Sequence, residues 1–312
     1  MRPALVFFNE QPASALDDTF TPEVLGHLQA LRASVSMAML DRSERRAEVI
    51  ERLTRAGVPV HAWLLVPREA GYFASHGNAP EVARAFDAFL AFRDAHRLDV
   101  STVGLDFEPD VRDLDALLAA PLRTVARRLS SLAPRHAVDA AVSAYRALVA
   151  RMRARGFVVE TYQVPLVVDD RRAGSRFFQR AFGLLDVEAD RQVLMAYSSL
   201  MGPLGPSLLE AWAPGARAIG VGSTGGGIDP LPKLTPSQLE RDLRAAARHA
   251  REVYVFSLEG CVAQRATAAL CAMDWAHPAP PPWRRRLAAA TASAVLGALA
   301  RLDARDHPGS DD

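Results

Sequence analysis

The sequence predicts a single (β/α)8 TIM barrel followed by a C-terminal helical extension, and three observations lead to that prediction. Eight short apolar runs recur along the chain, and helix-like segments with one polar face separate them. The runs are apolar at nearly every position, as parallel strands buried on both faces are. A doubly wound open sheet is the structural alternative, but the first strand-to-helix turn lacks the GxGxxG pattern of dinucleotide-binding sheets.

The apolar runs are the predicted strands. In chain order they are Ala4–Asn9, Val35–Leu40, Val58–Val66, Thr102–Glu108, Phe157–Gln163, Gln192–Ser198, Ala218–Ser223 and Val253–Glu259. The clearest predicted helices are Arg42–Ala56, Pro80–His96, Ala137–Arg155 and Pro236–Ala250. Gly57 and Gly156 should end two of these helices in left-handed backbone, and Thr235 or Ser237 should cap the last one.

The barrel should span residues 1–276, followed by a Pro- and Arg-rich link over 277–286 and a C-terminal helix with a disordered tail over 287–312. The uncharged segment Leu287–Ala300 has 14 residues, fewer than the roughly 20 needed to cross a bilayer. We therefore expect no transmembrane segment. The helix should dock on the barrel or on a partner, and the arginines before it leave a membrane-surface role open.

Composition excludes several classes of function. Lys and Arg number 37 against 36 Asp and Glu, so the near-neutral chain has no field to attract a nucleic acid. Lys233 is the only lysine and lies in a Pro-flanked segment, which disfavours Schiff-base chemistry, and no GxxxxGK[ST] phosphate loop occurs. The segment Met1–Glu10 is too short in apolar residues for a signal peptide. We expect a cytoplasmic protein without a cofactor, acting on a carbohydrate or another small molecule.

The strongest candidate for catalysis is a pair of carboxylates at the end of the fourth run. Alternation along a strand places Asp106 and Glu108 on one face, with Cα atoms about 6–7 Å apart. Their mutual repulsion should raise at least one pKa, as a general acid working near neutral pH requires. The alternative is an acidic turn that faces solvent and caps a helix or forms salt bridges.

These residues carry a resemblance to a known family. Gly104-Leu105-Asp106-Phe107-Glu108 resembles the fourth-strand DxxDxDxE motif of family 18 glycoside hydrolases, the chitinase-like barrels. The resemblance implies that Glu108 is the general acid and that Asp106 orients a substrate N-acetyl group, which acts as the nucleophile. Gly104 and Ser101 stand where the family has two earlier aspartates, so this chain is a divergent member of the pattern.

A second segment, Met195-Ala196-Tyr197-Ser198, resembles the sixth-strand MxYD motif of the same family. The resemblance implies that Tyr197 hydrogen-bonds the acetamido oxygen of the substrate. Ser198 replaces the family's aspartate. Without the resemblance, Tyr197 would be read as a core tyrosine at a strand end.

Further polar residues lie near the ends of other runs. Glu259 closes the eighth run and could face the carboxylate pair as base or nucleophile, or it could be an acid at a helix N-terminus. The candidates for substrate binding are Asn9, Glu10, Tyr72, Glu160, Tyr162 and Gln163. Trp63, in the middle of the third run, is expected in the core, whereas the loop residues Tyr72 and Phe73 are better placed to stack on a sugar.

Three alternative functions remain at this point. The glycine-rich stretch Gly222–Gly227 follows the seventh run, where barrels often bind phosphate, and it would suit a phosphosugar lyase or isomerase. The missing motif aspartates favour a non-catalytic carbohydrate-binding barrel. Asp106, Glu108 and Asp110 would suit a metal-dependent hydrolase, but the eight histidines form no HxH or HxxxH pair, so we expect no metal.

Overall fold

The computed structural model describes residues 2–227, 232–275 and 283–305. Eight parallel strands close into a barrel in sequential order, with the last strand paired to the first. The strands are β1 (Ala4–Asn9), β2 (Ser34–Ala38), β3 (Val60–Leu64), β4 (Thr102–Phe107), β5 (Val158–Gln163), β6 (Arg191–Met195), β7 (Ala218–Gly222) and β8 (Glu252–Phe256). The predicted fold class is therefore confirmed.

Helices alternate with the strands around the outside of the barrel. They are α1 (Leu16–Thr19), α2 (Pro22–Leu31), α3 (Glu44–Arg55), α4 (Ala79–His96), α5 (Val111–Ala119), α6 (Pro121–Ser130), α7 (Arg135–Ala154), α8 (Leu166–Ala173), α9 (Phe177–Phe182), α10 (Gly205–Trp212), α11 (Pro236–Ala247), α12 (Leu258–Ala263), α13 (Ala266–Cys271) and α14 (Trp283–Arg305). Short 3-10 helices occupy Ala13–Ala15, Arg68–Ala70 and Ser198–Leu204.

Capping residues in the sequence set the bounds of the outer helices. The Ser43 hydroxyl accepts the Arg46 amide at the start of α3, and Gly57 follows its end with φ 74°. Of the two predicted caps for α11, Thr235 is the one used, in a reciprocal capping box with Gln238.

The barrel interior holds two layers that together support its C-terminal end. The upper layer is aromatic, with the Phe8 ring 5.2 Å from that of Trp63 and 4.8 Å from that of Tyr162. The layer beneath is polar, since Glu160 is completely buried and accepts hydrogen bonds from Tyr162 and Tyr254. These two layers form a packed base beneath the loops at the C-terminal ends of the strands.

Helix α14 packs outside the barrel, against α8, α9 and α10. Its Ala300 and Leu296 join Phe177 and Phe178 of α9 in a separate apolar cluster. The helix begins at Trp283, inside the segment expected as a link, while residues 276–282 and 306–312 lie outside the described part of the chain. Among the described helices, none is long and apolar enough to cross a membrane.

Candidate active site

A pocket opens at the C-terminal end of the barrel, where parallel barrels place their active sites. Its lining comprises Phe8, Glu10, Trp63, Phe73, Asp106, Glu108, Leu114, Met195, Tyr197, Leu200 and Phe256. The cavity measures about 60 Å³, well under the roughly 150 Å³ of an apolar cavity that holds a benzene ring. A sugar ring therefore enters only if part of the wall moves.

Asp106 lies at the floor of this pocket, and β4 directs its side chain inward. The residue is 1% exposed, and its Oδ1 has no hydrogen-bond partner among the residues that the structure describes. Burial raises the pKa of Asp106 well above its usual range, and the charges of Glu108 and Glu10 raise it further. These effects, which the Trp63 side chain opposes, favour the protonated carboxyl group, and its Oδ1 remains without a partner in the described residues.

Glu108 follows the last residue of β4 and is half-buried at the pocket wall. Burial, followed by the charge of Glu10, raises its pKa to about 8. The protonated form therefore prevails at neutral pH, as a general acid requires. The sequence analysis placed these two carboxylates on one strand face, and the structure brings both into the same pocket.

Glu10 is a third carboxylate in the pocket, contributed by the residue after β1. The Tyr72 hydroxyl donates to its Oε1 at 2.5 Å. Burial raises the pKa of Glu10 to about 7; the Tyr72 hydrogen bond opposes that shift and the charge of Glu259 adds to it. Two of the predicted binding residues, Glu10 and Tyr72, thus meet at the pocket as a hydrogen-bonded pair.

Glu259 does not line the pocket and does not end a strand. Strand β8 stops at Phe256, and Ser257 caps α12, so Glu259 lies in the first turn of that helix. Its carboxylate accepts from Asn9 Nδ2 at 3.0 Å and from the Glu10 amide at 3.1 Å. Burial raises its pKa. Asn9 and Glu259, both predicted site residues, therefore lie outside the pocket lining, and their hydrogen bonds help to fix the backbone of Glu10.

Tyr197 reaches the pocket from the end of β6. Its ring stacks on Phe256 with centroids 5.7 Å apart. Burial raises the pKa of Tyr197 well above its usual range, and the charges of Asp106 and Glu108 add to the effect, so the phenol faces the β4 carboxylates and remains a donor. The neighbouring Ser198 points away and hydrogen-bonds the buried carboxylate of Asp242.

The fifth-strand candidates lie elsewhere. Because β5 continues to Gln163, Glu160 lies lower in the barrel, where it binds His61 Nδ1 at 3.2 Å and forms an ion pair with Arg191. Tyr162 donates to Glu160 beneath the pocket. Gln163 points outward and donates to the Val187 carbonyl. The structure does not bring these three residues to the pocket.

The glycine-rich loop after β7 packs onto carboxylates. A Cβ at Gly226 would lie 2.4 Å from Glu259 Oε1, and one at Gly227 would lie 2.5 Å from Glu10 Oε2. Two acidic neighbours disfavour a phosphate at this place, because like charges repel at short range. The loop instead packs against the carboxylates of Glu10 and Glu259.

A metal site on the fourth-strand acids has no geometric support. Asp110 caps α5 by accepting the Arg112 amide, and its carboxylate also pairs with the Arg112 guanidinium. Over residues 2–227, 232–275 and 283–305, no three His, Cys, Asp or Glu side chains are grouped to hold a cation. This finding covers the three pocket carboxylates as well.

Sequence reasoning missed much of the apolar wall. Trp63 was expected in the core, and it is indeed 2% exposed, yet it lines the pocket and its Nε1 has no partner within the described chain. In the sequence, Phe8 and Phe256 cannot be distinguished from other apolar residues that lie inside strands. Leu114 lies on the amphipathic helix α5 and Leu200 on the 3-10 segment after β6, and no local pattern distinguishes either as a residue that lines a pocket.

Comparison with known proteins supports the fold. No protein-family model matches the chain, and no curated protein matches it. A family 18 glycoside hydrolase chitinase from Pseudoalteromonas aurantia superposes with a TM-score of 0.55 at 10% identity, covering 86% of this chain and 99% of that one. An L-ribulose 3-epimerase gives 0.44 at 12% identity over 100% of both chains. Gas2p of Saccharomyces cerevisiae gives 0.43 at 12% identity over 82% and 53%. At these identities the likeness extends to the TIM barrel alone.

Proposed function

We propose that the protein is a carbohydrate-acting hydrolase that cleaves glycosidic bonds with Glu108 as general acid. The observation that carries this proposal is the meeting of Asp106, Glu108 and Tyr197 in one largely apolar pocket at the catalytic end of the barrel. Low polarity keeps Glu108 protonated until a leaving oxygen accepts its proton.

The remaining pocket groups suit a sugar. Asp106 has a free buried oxygen for a hydroxyl or amide donor, and Tyr197 supplies a phenol beside it. Trp63 and Phe256 offer aromatic faces and edges of the kind that pack against the apolar side of a sugar ring. The apolar walls and the three carboxyl groups thus agree with a neutral ring more readily than with a phosphorylated one.

The test is a panel of aryl glycosides, both with a 2-hydroxyl and with a 2-acetamido group, assayed with wild-type protein and the Glu108→Gln variant. General acid catalysis contributes about 10²–10⁴-fold, so turnover should fall by that order on poor leaving groups and much less on activated ones. Asp110→Asn is the matched control, because it alters an acid of the same loop that lies outside the pocket.

Equal loss on activated and unactivated substrates would reassign Glu108 to binding. No hydrolysis of any panel member, together with saturable binding of a sugar, would favour a non-catalytic carbohydrate-binding barrel. A loss in Asp110→Asn as large as that in Glu108→Gln would instead favour the metal-dependent alternative.

A further inference from the structure

Glu10 stands apart from the two acids that the sequence pattern singles out. It comes from β1, three strands away from β4 around an eight-stranded ring, so it faces Asp106 and Glu108 from nearly the opposite side of the pocket. A carboxylate opposite a general acid is the arrangement needed to activate a water molecule on the far side of a bond.

Several contacts fix Glu10 in that position. Tyr72 holds Oε1, the Glu10 amide donates to Glu259, and Gly227 lies against Oε2, where any Cβ would come within 2.5 Å. Gly227 has φ 68°, so the loop can approach this closely only because the residue is glycine. Among the described residues Glu10 forms no direct ion pair; the charge of Arg68 favours its ionised form, but burial outweighs that effect.

The alternative nucleophile, an acetamido group of the substrate, is less well supported by Asp106. Burial and the charges of Glu108 and Glu10 raise the pKa of Asp106 well above its usual range, which disfavours its ionised form. A neutral carboxyl group accepts an acetamide N–H less strongly than an ionised one does. This favours a substrate that carries a plain hydroxyl at C2, for which water is the nucleophile.

Resting on the proposed function, we propose that Glu10 is the general base, and that the enzyme hydrolyses glycosides with a free 2-hydroxyl group by direct attack of water. Glu108 donates its proton to the glycosidic oxygen as the bond from that oxygen to C1 breaks and the alcohol leaves. Water forms the new bond to C1 and gives one proton to the Glu10 carboxylate. Glu10 then returns a proton to solvent, and Glu108 regains one.

The experiment compares wild-type protein with Glu10→Ala and Glu10→Gln on matched aryl glycosides that differ only at C2. We expect the 2-hydroxyl series to be the better substrates, with inversion at the anomeric carbon seen by NMR. Both variants should lose about 10²–10⁴-fold in kcat, and sodium azide should restore turnover of Glu10→Ala on an activated substrate by forming a glycosyl azide. Glu69→Ala, an exposed acid on the Arg68–Ala70 turn, is the control and should neither lose activity nor respond to azide.

The outcomes separate the two proposals. Hydrolysis that depends on Glu108 but survives in both Glu10 variants would overturn the role of Glu10 alone, as would retention of anomeric configuration or activity confined to 2-acetamido substrates. Loss without azide rescue in folded Glu10→Ala protein would reduce Glu10 to a positioning role. Absence of hydrolysis by the wild type on the whole panel would remove the proposed function and the base together.

Discussion

Gly104 on β4 lies directly against the phenol of Tyr162 on β5: a Cβ at position 104 would come within 2.2 Å of the Tyr162 oxygen. Tyr162 shares a hydrogen bond of 2.7 Å with Ser36 and also donates to Glu160, so its ring cannot swing aside freely. The position where the family 18 pattern has an inner aspartate is therefore filled by a tyrosine from the next strand. The departure in sequence and the packing of the barrel explain each other.

This contact predicts that Gly104→Ala destabilises the fold. The added methyl group has to displace a buried ring, and overpacking of this kind costs about 1–3 kcal/mol in the free energy of unfolding. Gly26→Ala is the control, because nothing lies within 4 Å of a Cβ there and Gly26 is inside helix α2. That change should leave stability unchanged or raise it by up to about 1 kcal/mol. Denaturant unfolding of both variants makes the comparison, and equal stabilities would contradict the packing argument.

A second prediction concerns Glu160, which the sequence suggested as a substrate ligand. Glu160→Gln removes a completely buried charge from its ion pair with Arg191, and losing one partner of a buried pair costs about 3 kcal/mol or more. Glu252→Gln removes the half-exposed partner of the same arginine and should cost under about 1 kcal/mol. Below the melting temperature of Glu160→Gln, its KM should match that of the wild type, whereas a raised KM would return Glu160 to the substrate site.

The wall of the pocket gives a third prediction. Leu200 is 40% exposed and closes part of the cavity, so Leu200→Ala should widen the entrance. We expect KM for an aryl glycoside to fall by about fivefold, equivalent to ~1 kcal/mol. Leu204 lies on the same Ser198–Leu204 segment and is 56% exposed, but it does not line the pocket, so Leu204→Ala should leave KM unchanged. A KM that rises in Leu200→Ala would mean that the leucine contacts substrate instead of obstructing it.

The sequence predicted the parts of the site that strand alternation controls. Asp106 and Glu108 end a run whose interior face is fixed by a two-residue period, so their meeting follows once the barrel is assumed. The sequence predicts the ends of strands less accurately. Strand β8 ends three residues before Glu259, so this residue lies at a helix N-terminus and not at a strand end. In β5 the predicted and observed strands both end at Gln163, so the error lay in treating Glu160, three residues earlier, as part of the strand end.

Residues that close the pocket could not be predicted in this way. Leu200 and Leu114 lie on segments whose path depends on contacts made only in the folded barrel. Trp63 is apolar and belongs to a strand, so no local signal separates a residue that lines a cavity from one that fills a core. The pairing of Glu10 with Tyr72 joins positions 62 residues apart and has no local pattern at all.

The final prediction concerns pH, and it tests the carboxylates in two independent ways. Glu108 must be protonated to act as an acid and its pKa is raised to about 8, so activity should fall above that pH. Glu10 must be ionised to act as a base and its pKa is raised to about 7, so activity should also fall below that pH, leaving a maximum between the two values.

The raised pKa of Glu108 should also make the free energy of unfolding depend on pH, and this can be measured without any substrate. Because the pKa of Glu108 is higher in the folded protein than in the unfolded chain, the folded state binds more protons between about pH 4.5 and 8, and its stability declines as pH rises through that range. Glu108→Gln removes this contribution, so its melting temperature should fall less steeply from pH 5 to 8 than that of the wild type. The exposed acid Glu69, changed to Gln, should leave the slope unaltered. Parallel slopes for wild type and Glu108→Gln would mean that Glu108 is ionised in the folded protein at neutral pH, and a general acid would then have to be sought elsewhere in the pocket.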